Sequence, residues 1–265
     1  MKKIIFQGLF ISGLFFASWF LLSKINWVSI LKVQKITDKT EEELGDIFWN
    51  IINKSEVEDT NPFAKNALDS IVSKICLENN FDRELIKIHI VRKDEINAFA
   101  MPNGHLLVYT GLIEASDNQE ELSGVICHEI AHIQLNHVMK KLIKEVGLST
   151  LISMTSGGGG TEIIKETIKL ISSTAYDRSI EKEADIKAVD YLLKSKINPQ
   201  SFANFLFKLS NKESETSNYF SWISTHPDSK ERAEYIIEYS KNKGKDFEEI
   251  ITMETWNRLK ENINH

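Results

Sequence analysis

The stretch Gln119-Glu120-Glu121-Leu122-Ser123-Gly124-Val125-Ile126-Cys127-His128-Glu129-Ile130-Ala131-His132-Ile133-Gln134-Leu135 decides how the rest of the chain is read. It lies in a region, residues 119–145, whose pattern is helical, and Leu122, Val125, Ile126, Ile130, Ile133 and Leu135 place that helix in the core. His128 and His132 are four residues apart and share one helix face, so a single cation can touch both. Glu129 projects beside that face, where it can accept a proton from an attacking water instead of filling the coordination sphere. The bland alternative is a pair of satisfied core histidines next to a surface glutamate. The pair, the base and the helix together outweigh it.

Composition limits what such a site can be. The formal net charge of -6 and the pI near 5.7 give no basic surplus for binding phosphates, so nucleic acid is excluded as a partner. Only Cys76 and Cys127 are present, too few for a disulfide scaffold or a thiolate zinc site, which leaves histidines and carboxylates as ligands. A catalytic zinc takes three protein ligands and keeps one position open. The third is sought in Tyr176-Asp177-Arg178-Ser179-Ile180-Glu181-Lys182-Glu183-Ala184-Asp185, where Arg178, Glu181 and Asp185 fall on one helical face. Spacing alone does not choose Glu181 over Glu183. The flanking Ala175, Ala184 and Ala188 permit close helix approach.

Working outward, residues 37–53 and 63–78 read as amphipathic helices. Two short strands follow, residues 86–91 and His105–Tyr109, separated by the turn chemistry of residues 97–104. The four glycines at 157–160 mark a mobile loop, and with the apolar residues 148–154 suggest a flap over the cleft. Residues 161–194 are mostly helical, and the remainder reads as shorter helices and loops. The expected fold is α+β, mainly helical, a zincin-like metallopeptidase domain with a small sheet.

Residues 4–22 contain no charge and are dense in Leu, Ile and Phe; at about 1.5 Å per residue they reach roughly 28 Å, near the thickness of a bilayer core. No small-x-small cleavage site follows, so an uncleaved single anchor within residues 1–23 is expected, with residues 24–265 as the metallopeptidase domain. The expected location is membrane-anchored, with that domain outside the cytoplasm and on the periplasmic side if the source is bacterial.

Four stretches carry a resemblance: Asn97-Ala98-Phe99-Ala100-Met101-Pro102-Asn103-Gly104 before a strand and Gly111-Leu112, the His-Glu-x-x-His helix, Glu181-x-x-Ala184-Asp185, and Thr225-His226-Pro227 followed by Glu231-Arg232. Over residues 60–234 the chain resembles the membrane-associated zinc endopeptidases that include the CAAX prenyl endopeptidases, HtpX and the mitochondrial Oma-type proteases, and is closest to single-anchor or exported bacterial-type members. One turn departs from the family's common Pro-Gly-Gly, reading Pro102-Asn103-Gly104, a change that Asn tolerates because it accepts the left-handed conformation.

The resemblance implies one zinc ion per chain on His128, His132 and Glu181, with Glu129 as general base. It implies that Asp185 orients a ligand histidine, that Arg178 pairs with one of these carboxylates, and that His226 approaches the metal centre, to stabilise the oxyanion or to occupy the water site at rest. The implied activity is hydrolysis of peptide bonds in misfolded or membrane-associated proteins, as in protein quality control. The strand His105–Tyr109 is the expected edge on which a substrate peptide adds. The rival reading is a catalytically silent relative acting as a membrane-anchored chaperone or binding module.

Overall fold

Apolar residues at helical spacing set most of the architecture. The computed structural model describes residue 12, residues 33–212 and residues 220–263. It divides into two units, Met1–Thr40 and Glu41–His265. Among the described residues the first unit holds residue 12 and the opening of helix α1 (Val33–Ser55), which continues into the second unit.

In the second unit α1 buries Leu44, Phe48 and Ile52. Helix α2 (Pro62–Asn79) starts on a proline, is capped by the Asn61 side chain accepting from the Phe63 N–H, and ends where Asn80 turns left-handed. Strands β1 (Lys87–Val91), β2 (Ala98–Ala100) and β3 (His105–Tyr109) then form a sheet in the order β1-β3-β2. β3 runs parallel to β1 and antiparallel to β2, and all of it is buried, as suits a central strand. β2 and β3 are joined through Pro102–Gly104, where Gly104 has φ +69° and a Cβ would sit 1.8 Å from the Leu85 carbonyl oxygen. Only glycine fits there.

Next come α3 (Thr110–Ala115), α4 (Gln119–Gln134), α5 (His137–Glu145), α6 (Leu148–Thr155) and α7 (Thr161–Ser173). They are followed by α8 (Arg178–Lys194), α9 (Pro199–Lys212), α10 (Phe220–Thr225), α11 (Ser229–Ser240) and α12 (Met253–Ile263). The central element is α4, buried continuously from Glu121 to His132. Its first turn is closed by the Asn118 side chain, which accepts from the Glu121 N–H, while Glu121 accepts from the Asp117 N–H. Helices α8 and α9 pack directly on it. Ala184 and Ala188 of α8 are fully buried, and α9 comes so close that a Cβ at Gly124 would lie 2.4 Å from Phe202 Cβ.

Several expectations need correction. Residues 97–104 hold a strand as well as a turn, and His105–Tyr109 lies in the middle of the sheet, so the outer strand packed against α4 is β2. The helical region 119–145 is broken at Asn136, which has φ 56° and starts α5 in a new direction. Residues 148–154 fall in a helix that buries Leu151 and Met154. Among the described residues no helix is long and apolar enough to cross a membrane, so the expected single N-terminal anchor, and the extracytoplasmic placement read from it, is not supported. The longest of them, α1, interleaves lysines and acids with its apolar positions. The stretch 4–22 on which that expectation rested lies, but for residue 12, outside the described residues.

Candidate metal centre

Two helices and the end of a short third one bring most of the sequence-predicted residues together. His128, Glu129 and His132 come from α4, Glu181 and Asp185 from the first turns of α8, and His226 from the residue after α10. All are almost completely buried. His128 Nε2 and His132 Nε2 are 3.0 Å apart, and each is 3.6 Å from an oxygen of Glu181. His226 Nδ1 closes the group, 3.3 Å from His128 Nε2 and 3.0 Å from Glu181 Oε1. One donor atom from each of His128, His132, Glu181 and His226 lies within 4.8 Å of the others.

Such a set fits a metal ion. Burial pushes His128, His132 and His226 down to about 4, so near neutral pH their rings are uncharged and can offer lone pairs. Three uncharged nitrogens facing one another within a few ångströms leave lone pairs unmatched, which a shared cation would satisfy. Burial alone would raise Glu181, but His226 and Arg232 together hold it well below the usual carboxylate range. Glu129 differs. Burial raises its pKa well above the ordinary value, its Oε2 accepts from the Ala100 N–H of β2 at 2.8 Å, and its Oε1 is buried without a hydrogen-bond partner, 3.4 Å from His226 Nε2.

Behind the cluster, Asp185 Oδ1 lies 2.8 Å from His128 Nδ1. Arg232 of α11 grips Asp185 with Nε and Nη2, each at 2.8 Å, and reaches Glu181 Oε2 with Nη1, also at 2.8 Å. It also donates to the His226 carbonyl, and Tyr235 adds a hydroxyl to Asp185. Burial would raise Asp185, yet Arg232 and then His128 bring it down to about 2. Arg178 does not reach these carboxylates. It is exposed and pairs with Asp228 at 2.8 Å, because its position at the start of α8 points it toward the α11 N-terminus. The role expected of Arg178 is filled by Arg232, whose presence in the Glu231-Arg232 pair was the only hint the sequence offered.

Two aromatic rings enclose the histidines. Trp222 stacks on His226 at 4.1 Å between ring centroids, and Tyr176 stacks on His132 at 4.2 Å. The buried ammonium of Lys141 lies 4.2 Å above the Tyr176 ring and donates to the carbonyls of Ile171 and Thr174, fixing the chain between α7 and α8. Burial depresses Lys141 to about 8. Neither Tyr176 nor Lys141 stood out as a site residue in the sequence.

Known proteins with similar sequences share the class this geometry suggests, that of metalloproteases. The chain belongs to peptidase family M48, whose profile matches residues 62–240; members of that family are zinc-dependent metallopeptidases. It is 26% identical over 199 residues to the beta-barrel assembly-enhancing protease of Yersinia pestis, covering 71% of this chain and 41% of that protein. It is 29% identical over 217 residues to metalloprotease LoiP of Escherichia coli (strain K12), covering 79% and 81%. With the mitochondrial metalloendopeptidase OMA1 of Bos taurus it shares 29% over 163 residues, covering 56% and 31%. Alignment with the first of these relatives thus takes in about two-fifths of that protein's length.

Proposed function

We propose that the chain is a zinc-dependent endopeptidase in which His128, His132 and Glu181 hold the ion and Glu129 is the general base. The observation that carries this reading is the meeting of two histidine Nε2 atoms, 3.0 Å apart, with both oxygens of one buried carboxylate, beside a glutamate oxygen that has no partner. Zinc bound there supplies Lewis acidity toward a water and a peptide carbonyl. Glu129 takes the proton of the attacking water on Oε1 and returns it to the leaving amine. Asp185 holds His128 in the tautomer whose Nε2 faces the cluster. Arg232 pairs with both Glu181 and Asp185 and offsets one of their two charges, which lowers the cost of burying two carboxylates together.

His226 is the resting occupant of the remaining position, since its Nδ1 belongs to the same donor set. Its withdrawal is then a condition for turnover. The substrate is an extended polypeptide that adds to the outer edge of β2, where the Ala100 N–H donates to Glu129 and a strand laid alongside would pass the base. Backbone pairing of this kind asks for an unfolded chain more than for a particular sequence, which favours misfolded proteins as the substrate class.

The rival is a relative that keeps the fold and the metal but acts as a chaperone or binding module. Zinc content measured together with casein cleavage, in wild type and Glu129→Gln, separates the two. Zinc in both proteins with cleavage only in wild type is the expected result. Zinc in both with cleavage in neither favours the binding module, and wild type without zinc overturns the metal reading.

A further inference from the structure

His132 presents its two ring nitrogens to different surroundings. Nε2 faces the cluster, whereas Nδ1 lies 3.1 Å from Nδ1 of His137, a residue that the proposed chemistry does not use. His137 is the first residue of α5, and the left-handed turn at Asn136 folds the chain back so that a ring five positions on meets the His132 ring. It is buried. Its Nε2 has no hydrogen-bond partner, and the nearest carboxylate oxygen, Glu183 Oε2, stands 3.4 Å away. Glu183 sits on α8 two residues past Glu181 with a half-exposed side chain.

We propose that His137 is the positioning residue for His132 and that Glu183 anchors the outer end of the arrangement; the inference rests on the metal-ligand reading above. For Nε2 of His132 to offer a lone pair to a cation, its Nδ1 must carry the proton and needs an acceptor. His137 Nδ1 accepts only when the His137 proton is on Nε2, and that N–H then points toward Glu183. A single tautomer pattern therefore serves all three groups, running outward from His132 to Glu183. The two Nδ1 atoms face each other directly, so two patterns set lone pairs or hydrogens against each other, and the reverse pattern, with His137 donating, would put the His132 proton on Nε2 and remove that nitrogen from the donor set. The other ligand histidine is held differently, by the buried carboxylate of Asp185.

The test measures zinc affinity of the full chain by chelator competition in wild type, His137→Ala, His137→Asn and Glu183→Ala, with melting of each metal-free protein and the visible spectrum of each cobalt-substituted one. Asn places an amide oxygen near the Nδ1 position and can accept from His132. Alanine at 137 is expected to weaken zinc binding about 10- to 100-fold and to change the cobalt spectrum, the typical result of losing a group behind a ligand. Asparagine is expected to restore most of the affinity, and Glu183→Ala to cost only a few-fold because water can replace an exposed carboxylate. Wild-type affinity in His137→Ala would overturn the proposal. So would equal weakening in the Ala and Asn variants in step with their metal-free stability, which would mark His137 as packing alone. Wild type that binds no zinc would instead overturn the metal reading itself.

Discussion

Among the described residues the protein gathers two groups of histidines, and only one has the makings of a metal centre. On the outer face of the sheet, His89 Nε2 and His105 Nδ1 lie 2.9 Å apart, with the Trp49 ring stacked 3.6 Å from the His89 ring. Burial lowers both, His89 to about 3 and His105 to about 4, much as it lowers His128, His132 and His226. The contrast lies in the carboxylates. Glu58 and Asp46 come no closer than 3.7 Å to this pair, and each is shared with a lysine, Lys65 and Lys87 respectively. Glu181 and Asp185 are almost fully buried against the other group and share a single arginine behind them, which offsets one of their two charges. Proximity of imidazoles thus gives a packed hydrogen-bonded pair, and buried, arginine-paired carboxylates turn such a group into a candidate ligand set.

The comparison can be broken first at the base. Glu129→Gln is expected to lower casein cleavage by about 10²- to 10⁴-fold with zinc retained, whereas His105→Gln should leave zinc content and cleavage rate within about two-fold. Retained cleavage in the glutamine variant would remove the chemical distinction between the two groups. Removing the shared arginine comes next. Arg232→Ala leaves two buried carboxylates without their cation, and denaturant unfolding of the metal-free protein should show a loss of about 3–5 kcal/mol. A smaller wedge tests the platform: Gly124→Val forces α4 and α9 apart at Phe202 and should cost about 1–3 kcal/mol by the same measurement.

The other group is tested by pH, through titration of the His89 and His105 pair. Their folded values lie below the ordinary 6.5, so between pH 6.5 and about 4 the unfolded chain binds more protons and stability rises with pH. Acidification should therefore destabilise the protein, with a slope that stays below the limit of about 1.4 kcal/mol per pH unit per ring. A His89→Gln, His105→Gln variant should show a correspondingly shallower dependence in the metal-free state. An unchanged slope would mean that the two rings protonate without unfolding the sheet face.

Legibility in the sequence followed how local each feature is. α2 was expected at residues 63–78 and is found at Pro62–Asn79, and β3 falls on its expected residues, because apolar periodicity and flanking turn residues define both. β2 was missed: three residues beside a proline and a glycine read as a turn, and only pairing with β3 makes them a strand. At the site, His128, Glu129 and His132 announce themselves by spacing within one helix. Arg232, His137 and Tyr176 do not, since their importance comes from approaches between α11, α5 and the α7–α8 connection that no short-range pattern encodes. The same holds for His89 and His105, sixteen residues apart and brought together by the parallel pairing of β1 with β3.

The stacking of Trp222 on His226 has an optical consequence. An indole lying 4.1 Å from an imidazole reports any motion of that ring through its emission, so His226 carries an intrinsic fluorophore at its side. The other tryptophans, Trp19, Trp27, Trp49 and Trp256, can be replaced by phenylalanine to isolate that signal. Stopped-flow mixing of such a protein with an unfolded polypeptide would then test whether His226 leaves the cluster before any cleavage.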